Sequence, residues 1–145
     1  MSLGNIIDDK MDLNEMGQVV QNAWGKNKGR FPQIDLDAFV IMPNHIHGII
    51  VINNVGTIHE SPLQGKLGKI FRRKMVLPKI IGYFKMNSAK QANLLRNRVS
   101  FPFWHRNYYE HVIRNETDLE EIREYIQNNP LKWLDDENHP ANMNK

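Results

Sequence analysis

The stretch DAFVIMPNHIHGIIVIN, residues 37–53, is the most apolar part of the chain. Two runs of Ala, Phe, Val, Ile and Met flank a break at Pro43 and Asn44, a pattern typical of two strands joined by a tight turn. His45 and His47 follow the break and are two residues apart. In a strand, side chains at this spacing point to the same face. The stretch therefore predicts a β-hairpin that presents two neighbouring imidazoles.

This histidine pair has two interpretations. Two imidazoles side by side on a rigid strand supply half of a metal site. The plainer alternative is a polar face on an antiparallel sheet, since such short motifs often occur without a function. Ile46 and Gly48 fall on the opposite face, and Ile49 makes the histidine face apolar as well, which predicts a strand buried on both sides. Buried imidazoles need partners, and this favours a site.

Length and composition predict one globular domain that works in the cytoplasm. The chain has 145 residues, 41% of them hydrophobic and 24% charged, enough for a single core. The absence of cysteine excludes disulfides and zinc–thiolate sites and fits a reducing compartment. No apolar run is as long as a membrane span and no secretory signal is visible, so no membrane partner is expected.

The charge distribution permits a nucleic-acid partner. The net charge is +3 and the sequence pI is about 9.2, a mild excess that permits such a partner without requiring one. Residues 66–90 carry eight basic residues and no acidic one. A long connection is predicted over residues 53–76, and it is either a solvated loop or a nucleic-acid contact.

The remaining patterns predict an α+β fold. The first half of the chain predicts a hairpin over residues 4–13, a helix capped by Asn14 that ends near Gly25, and strands over 36–42 and 44–52. The second half predicts a helix from Pro78 to about Arg96 and a strand from about Phe103 to Val112. A last helix is opened by a capping box of Thr117 and Glu120 and stopped by Pro130. The tail after Leu134 is polar and expected to be loose. The prediction is thus one domain, residues 1–134, and a tail, residues 135–145.

The last predicted helix carries Tyr125 and Asn129 on one face, because they are four residues apart. The plain interpretation is a packed tyrosine whose hydroxyl is hydrogen-bonded, followed by an asparagine cap. The alternative interpretation is that the two residues belong to a catalytic site. A tyrosine hydroxyl attacks a phosphodiester and forms a covalent phosphotyrosine when a divalent ion polarises the phosphoryl oxygen. Two imidazoles and one amide oxygen would hold that ion and leave positions open for phosphate and water.

Two stretches, VIMPNHIHGIIVI (residues 40–52) and WHRNYYEHVIRNETDLEEIREYIQNNPLKW (residues 104–133), closely resemble the REP-associated tyrosine transposases. These belong to the single-tyrosine HUH transposase superfamily, in which HUH means His, hydrophobic, His. The resemblance extends from about Ile6 to Trp133. It implies a ferredoxin-like antiparallel sheet with helices packed on one face.

The resemblance also implies roles for individual residues. His45 and His47 are similar to the family's metal-binding histidines, Tyr125 to its nucleophile, and Asn129 stands where relatives carry a glutamine as third ligand. The implied activity is metal-dependent cleavage and rejoining of single-stranded or hairpin DNA in transposition, with Mg²⁺ or Mn²⁺ and a 5′-phosphotyrosine intermediate. By charge, the expected DNA contacts are Lys69, Arg72, Arg73, Lys74, Lys85, Lys90 and Arg106. His111 also recurs in the family pattern, either as a structural residue or as a phosphate contact.

The chain departs from the family at its beginning. Family members start with a further strand that sits centrally in the sheet, and this first strand is missing here. An unfilled position would leave edge hydrogen bonds unmatched. Three outcomes are open: the N-terminal hairpin fills the gap, two chains share strands as a homodimer, or the protein is a remnant.

Two rivals to an active transposase follow. One is a truncated, catalytically inactive module that still binds DNA hairpins. The other is a metal-free α+β interaction domain in which His45, His47 and Tyr125 are packing residues.

Overall fold

The computed structural model describes residues 2–53, 66–97, 102–105 and 108–142, and for residues 66–75 it describes the backbone alone. The elements are β1 (Gly4–Ile7), β2 (Lys10–Leu13), α1 (Glu15–Arg30), β3 (Ile34–Ile41), β4 (Ile46–Ile52), α2 (Lys66–Leu95), α3 (Glu116–Asn128) and a 3₁₀ turn, Trp133–Asp135. The predicted α+β class is confirmed.

Each described strand pairs antiparallel with its neighbour in the chain. β1 pairs with β2 and β3 with β4, as two separate two-stranded sheets. The N-terminal hairpin is confirmed, and it docks without extending the second sheet. The Leu3 N–H donates to the Pro43 carbonyl at 2.8 Å, and the Leu3 side chain is fully buried. Within the described residues, the hairpin therefore does not supply a further strand beside β4.

A β-bulge in β3 sets which residues face the core. Leu36 pairs with Ile50 and Phe39 with Gly48, so β3 carries one extra residue between these pairs. Both Leu36 and Phe39 consequently reach the face covered by α1, although they are three apart. Phe39 stacks on Trp24 of α1 with ring centroids 4.5 Å apart.

The prediction that all helices pack on one face is wrong. Gly48 lies against Trp24 of α1, so close that an added Cβ would be 2.6 Å from the indole ring. The next side chain along β4, His47, points the other way and contacts Tyr125 of α3. Successive residues of a strand face opposite sides. The β3–β4 pair is therefore covered by α1 on one face and by α3 on the other.

The main core lies between α1, α2 and the sheet face that carries Gly48. Its aromatic centre is Trp24, which meets Phe84 of α2 edge-on at 5.6 Å. The members of this cluster are buried apolar side chains: Leu3, Val20, Ala23, Trp24, Ile41, Phe84, Ala92 and Phe103. Burial of such side chains stabilises a fold by roughly 1.5–3 kcal/mol each.

Helix boundaries differ from the predictions in three places. α1 continues past Gly25 to Arg30, with Lys28 and Arg30 in the last turn, where basic side chains favour the helix dipole. α2 begins at Lys66, and Pro78 lies inside it, because proline costs a helix one N–H donor without always ending it. The connection predicted over residues 53–76 is therefore wrong from Lys66 onward; residues 54–65 lie outside the described part.

The end of the chain also differs from the predictions. Asn115, not Thr117, caps α3: its side-chain oxygen accepts the Asp118 N–H at 2.8 Å. The described part of the segment between Phe103 and Val112 contains no strand, since a strand needs a hydrogen-bonded neighbour and here Tyr109 is 93% exposed.

Candidate active site

The two histidines lie side by side at the start of β4, as predicted. The Met42 N–H donates to the His45 carbonyl at 2.8 Å and closes the turn before the strand. The ring centroids of His45 and His47 are 4.8 Å apart and the rings are nearly perpendicular. The rigid turn and strand thus hold both imidazoles on the face that α3 covers.

Asn44 fixes the tautomer of His45. The Asn44 amide nitrogen donates to the Asn138 carbonyl at 2.8 Å, which leaves its oxygen to accept from His45 Nδ1 at 2.8 Å. The proton of neutral His45 is therefore on Nδ1, and Nε2 presents a lone pair. This is the arrangement by which proteins orient a metal-binding histidine.

Both imidazoles are kept neutral by their surroundings. Burial, assisted by the neighbouring His47, lowers the pKa of His45 to about 4, although Asp136 opposes the shift. Burial also lowers the pKa of His47, against the opposing charges of Asp136 and Glu137. A neutral imidazole keeps a lone pair on one ring nitrogen, which is the form that a metal ligand requires.

Three side-chain atoms of the site, His45 Nε2, His47 Nε2 and Asn129 Oδ1, are buried with no hydrogen-bond partner within the described residues; outside the site, both polar atoms of Asn27 in α1 are in the same state. Asn129 is only 3% exposed, and its amide nitrogen donates to the Tyr125 carbonyl at 3.2 Å, so its oxygen is the free end. Buried polar atoms are rarely left unmatched in proteins. These are the three side chains predicted as metal ligands.

The residues present therefore fit a divalent metal ion. Two imidazole nitrogens and an amide oxygen are donors that Mg²⁺ and Mn²⁺ accept, with positions left for phosphate and water. In the part of the chain that the structure describes, no three His, Cys, Asp or Glu side chains form such a group by themselves. The predicted set of three metal ligands thus needs the amide oxygen of Asn129 as its third donor.

Tyr125 lies at the rim of the site. Its ring meets the His47 ring nearly edge-on, with centroids 5.4 Å apart, and 54% of the residue is exposed. One side of the tyrosine thus contacts the histidine pair while the other is open to solvent. An incoming polymer would have access to this residue.

Arg123 and Asp37 hold the tyrosine helix on the sheet. Arg123 Nε and Nη2 donate to the two Asp37 carboxylate oxygens at 2.8 and 2.6 Å. The bulge in β3 allows Asp37 to face α3 while Leu36 and Phe39 face the core. This fork-shaped pair positions α3 two residues before Tyr125.

The C-terminal tail reaches the histidines, so the prediction that it is loose is wrong. The Asn142 amide donates to the carbonyls of Leu134 and Asp136 at 2.9 Å each. Asp136 Oδ2 lies 3.7 Å from His45 Nε2. Sequence reasoning missed Asn44, Arg123 and Asp136; only Asn44, in the turn beside His45, had a local signal.

Of the seven predicted DNA-binding residues, only Lys85 and Lys90 have described side chains, so their grouping stays a prediction. Lys85 is partly buried and donates to the His105 carbonyl at 2.9 Å. Lys90 is exposed on α2. Arg106 lies outside the described residues, as do the side chains of Lys69, Arg72, Arg73 and Lys74, which are on α2.

His111 lies near the start of α3. Its Nε2 is 3.2 Å from an Asp118 carboxylate oxygen. This contact fits the structural alternative.

Fold and site together define an α+β protein with a paired-histidine centre and an adjacent tyrosine. The chain is 40% identical over 137 residues to a protein of Haemophilus influenzae described as uncharacterized, an alignment that covers 92% of this chain and 75% of that protein. The chain belongs to the same family as the Haemophilus influenzae protein. No family model matches it, and no solved structure does.

Among the helices of the described residues, none combines the length and the apolarity that a membrane span requires.

Proposed function

We propose that the protein cleaves and rejoins single-stranded DNA as a tyrosine transposase of the HUH class, and that it recognises hairpin DNA. One observation carries the proposal: His45 Nε2, His47 Nε2 and Asn129 Oδ1 are all buried and unmatched, and Tyr125 lies against one of these imidazoles. Both polar atoms of Asn27 in α1 are buried and unmatched as well, so the support comes from identity and position: these three atoms belong to the side chains that the resemblance implies as metal ligands, and the implied nucleophile lies beside them.

Each residue has a defined part in the reaction. The Tyr125 oxygen attacks the scissile phosphorus and loses its proton; a Tyr–O–P bond forms and the P–O3′ bond breaks, so the 3′ oxygen leaves and takes up a proton. When bound by His45, His47 and Asn129, Mg²⁺ or Mn²⁺ would supply the positive charge that polarises the phosphate. In the rejoining step a 3′-hydroxyl attacks the same phosphorus and releases Tyr125. The phosphotyrosine link conserves the bond energy, so no ATP is needed.

The basic part of α2 suits a DNA partner. Between residues 66 and 90 every charged residue is a lysine or arginine. Such a stretch attracts phosphates regardless of sequence, and aromatic side chains provide surfaces on which bases stack. Tyr109, 93% exposed, is one such surface.

The test is a gel assay for a covalent protein–DNA adduct. The protein is mixed with labelled single-stranded hairpins and Mn²⁺, beside Tyr125→Phe and His45→Ala. Tyr109→Phe is the matched control, because Tyr109 is more exposed than Tyr125 and is not in contact with the histidines. We expect an adduct from the wild type and from Tyr109→Phe, and none from the other two variants or with EDTA.

The remaining outcomes separate the rivals. Hairpin binding without any adduct would favour an inactive DNA-binding module. An absence of both the adduct and hairpin binding would overturn the proposal and leave the interaction domain.

A further inference from the structure

Charge is divided between the two faces of the β3–β4 sheet. Residues 16–30 of α1 and residues 66–95 of α2 contain no acidic residue, and these helices lie on the face that carries Gly48. On the other face, residues 114–137, which include α3 and the 3₁₀ turn, contain eight acidic residues and three basic ones. A polyanion is attracted to positive potential. The α1–α2 side is therefore where DNA should bind most strongly, and the side of Tyr125 is not.

One cluster on this basic side has a defined geometry. The guanidinium carbon of Arg30, in the last turn of α1, is 5.6 Å from the ring centroid of Phe31 and 5.9 Å from that of Tyr83 on α2. The two rings meet nearly edge-on with centroids 5.8 Å apart. Cations and aromatic rings attract at this range, so the rings hold the guanidinium in place while Arg30 stays exposed. Together with Lys79 of α2, these residues form the Arg30 cluster.

Lys79 gives the cluster a second cation. It precedes Tyr83 by four residues on α2, so both side chains lie on the same face of the helix. Lys79 is exposed, and neither it nor Arg30 has an acidic partner within the described residues. By contrast, Lys28 pairs with Asp35 at 2.9 Å. The Arg30 cluster therefore presents two positive charges that no acidic side chain of the described chain neutralises.

The geometry of the Arg30 cluster favours a phosphate ligand over a base. A base binds to a protein surface of this kind by stacking on an open aromatic face. Here the guanidinium lies over both rings, and Phe31 and Tyr83 are only partly exposed. The open group is the planar fork of Arg30, whose N–H groups match the oxygens of a phosphate. The cluster is therefore suited to the DNA backbone, which carries no sequence information.

We infer that the Arg30 cluster binds backbone phosphates in the duplex stem of the DNA hairpin, on the side of the sheet opposite Tyr125. A duplex holds its phosphates at fixed positions, and α1 and α2, which pack together through Trp24 and Phe84, hold Arg30 and Lys79 likewise. The unpaired strand then passes the edge of a sheet that is two strands wide in the described residues. The inference rests on the hairpin partner of the proposed function and adds the place where the stem binds.

The rival is a purely structural role, in which Arg30 only covers the two rings. Both descriptions predict that Arg30→Gln lowers the Tm. Only a phosphate contact predicts a change in the salt dependence of binding, because each neutralised phosphate releases counterions. Lys79→Gln separates the two further: Lys79 makes no ring contact among the described residues, so a structural role of the rings does not involve it.

The experiment measures hairpin binding by fluorescence anisotropy at several salt concentrations, beside a stemless strand with the same unpaired sequence. We expect Arg30→Gln and Lys79→Gln each to weaken hairpin binding about eightfold in about 0.1 M salt. Each should also reduce the slope of log K against log salt by about 0.9, the value for one duplex phosphate. Affinity for the stemless strand should stay within about twofold of the wild type, because that strand has no stem to contact the cluster.

Lys26→Gln is the matched control. Lys26 is an exposed cation one turn before Arg30 on α1, and it contacts neither ring in the described part of the chain. The control should bind the hairpin like the wild type. Arg30→Lys should keep the wild-type salt slope, since the charge remains. On the stemless strand, Arg30→Gln should form the covalent adduct at the wild-type rate, because Tyr125 and the histidines are unchanged.

Each contrary result has a distinct meaning. If the double variant Arg30→Gln/Lys79→Gln binds the hairpin like the wild type, with the same slope, the inference is wrong, and the adduct assay still decides the proposed function. If hairpin and stemless binding fall equally, the cluster contacts the unpaired strand and not the stem. If inorganic phosphate displaces the hairpin more than chloride of equal ionic strength does, the cluster takes free phosphate instead. A wild type that binds neither DNA contradicts the hairpin partner of the proposed function as well.

Discussion

Single atoms decide what the histidine site can bind. The Asn44 oxygen places the proton of His45 on Nδ1, and its amide nitrogen reaches the tail at Asn138. One side chain therefore both orients an imidazole and attaches the segment that carries Asp136. At the residue scale, the proposed metal site depends on this amide as much as on the histidines.

Asn44→Ala should weaken Mn²⁺ binding by about tenfold to a hundredfold, the loss typical when a partner of a metal ligand is removed. Without the Asn44 oxygen, the neutral imidazole is free to carry its proton on either nitrogen. Calorimetric titration measures the effect. The control is Asn53→Ala, which removes an amide that donates to Asp35 at 2.6 Å at the far end of β4. Equal affinities for the wild type and Asn44→Ala would contradict this role.

The stability of the metal-free protein should fall as the pH is lowered from about 6.5 to about 4. Burial depresses the pKa of folded His45 to about 4, whereas the unfolded chain titrates near 6.5. Above pH 6.5 both states are neutral and stability is full; below it the unfolded state takes up the proton that the folded state rejects. Urea unfolding in EDTA at pH 7.5, 6.0 and 5.0 measures the change.

His45→Gln serves as the control for this pH dependence, since it removes one of the two titrating groups. It should flatten the loss of stability without abolishing it, because the pKa of His47 is lowered as well. A stability that is constant, or that rises, between pH 6.5 and 5.0 would show that the imidazoles are not buried in the neutral form.

Gly48→Ala should destabilise the protein by about 1–3 kcal/mol, the usual cost of overpacking. An added Cβ would meet the Trp24 ring at 2.6 Å, and that ring is stacked on Phe39 and cannot move aside. Gly82→Ala is the control: nothing lies within 4 Å of its added Cβ, and alanine should stabilise α2 by roughly 0.5–1 kcal/mol. Urea unfolding compares the two, and equal effects would contradict the close packing.

At the scale of elements, α3 is the part that completes the site. It carries Tyr125 and leads into Asn129, and the Arg123–Asp37 pair joins it to β3. The histidines belong to the sheet, and the tyrosine belongs to the helix. Any shift of α3 therefore changes the separation between Tyr125, the proposed nucleophile, and the histidines.

Arg123→Lys should slow formation of the covalent adduct by about tenfold to a hundredfold, while the Mn²⁺ affinity stays within about twofold. Lysine cannot make two parallel N–H bonds to Asp37, and a small misplacement of Tyr125 is costly in catalysis. The adduct gel gives the rate and titration gives the affinity. Glu124→Gln, the exposed neighbour of Tyr125 on the same helix, is the control. An unchanged adduct rate in Arg123→Lys would separate the ion pair from catalysis.

The histidine hairpin and the tyrosine helix were predictable because their signals are local. Alternation and a Pro-Asn break locate β3 and β4, and a spacing of four places Tyr125 with Asn129. Contacts between residues far apart in the chain produce no local pattern: Asp136, which lies near His45, follows it by 91 residues. The sequence predicts α2 only from Pro78, because glycine and proline favour a loop before it, whereas the helix-forming residues after Lys66 extend the helix. Aromatic residues after Phe103 predict a strand, but a strand also needs a pairing neighbour, which local sequence does not reveal.

At the scale of the whole molecule, the basic charge is concentrated on one long helix. α2 spans Lys66–Leu95, and its first turn has no acidic residue. The histidines and Tyr125, the residues of the proposed active site, are on β4 and α3 instead. DNA affinity and DNA chemistry should therefore be separable by mutation.

Replacing Lys69, Arg72, Arg73 and Lys74 with glutamine should weaken hairpin binding and reduce its salt dependence. For single strands, the plot of log K against log salt changes by about 0.7 per phosphate contact, so losing four contacts reduces the slope by about 3. Fluorescence anisotropy at several salt concentrations measures this. Replacing Lys10, Lys26, Arg114 and Lys132, which are exposed elsewhere on the chain, with glutamine removes the same four charges and controls for net charge. His45→Ala should keep the full slope. If the fourfold variant keeps the wild-type slope of log K against log salt, the DNA does not contact these four residues of α2.

The bulge in β3 shifts the alternation of core-facing and outward-facing residues by one position. Before it, the core takes even-numbered positions such as Ile34 and Leu36; after it, the core takes odd-numbered ones such as Phe39 and Ile41. Deleting one residue at the bulge would remove the extra residue and restore regular alternation with the same side chains inside, whereas a one-residue insertion or deletion elsewhere in the strand would exchange inside for outside beyond it. Relatives that differ in length should therefore carry their insertions and deletions outside residues 34–52 or at the bulge itself.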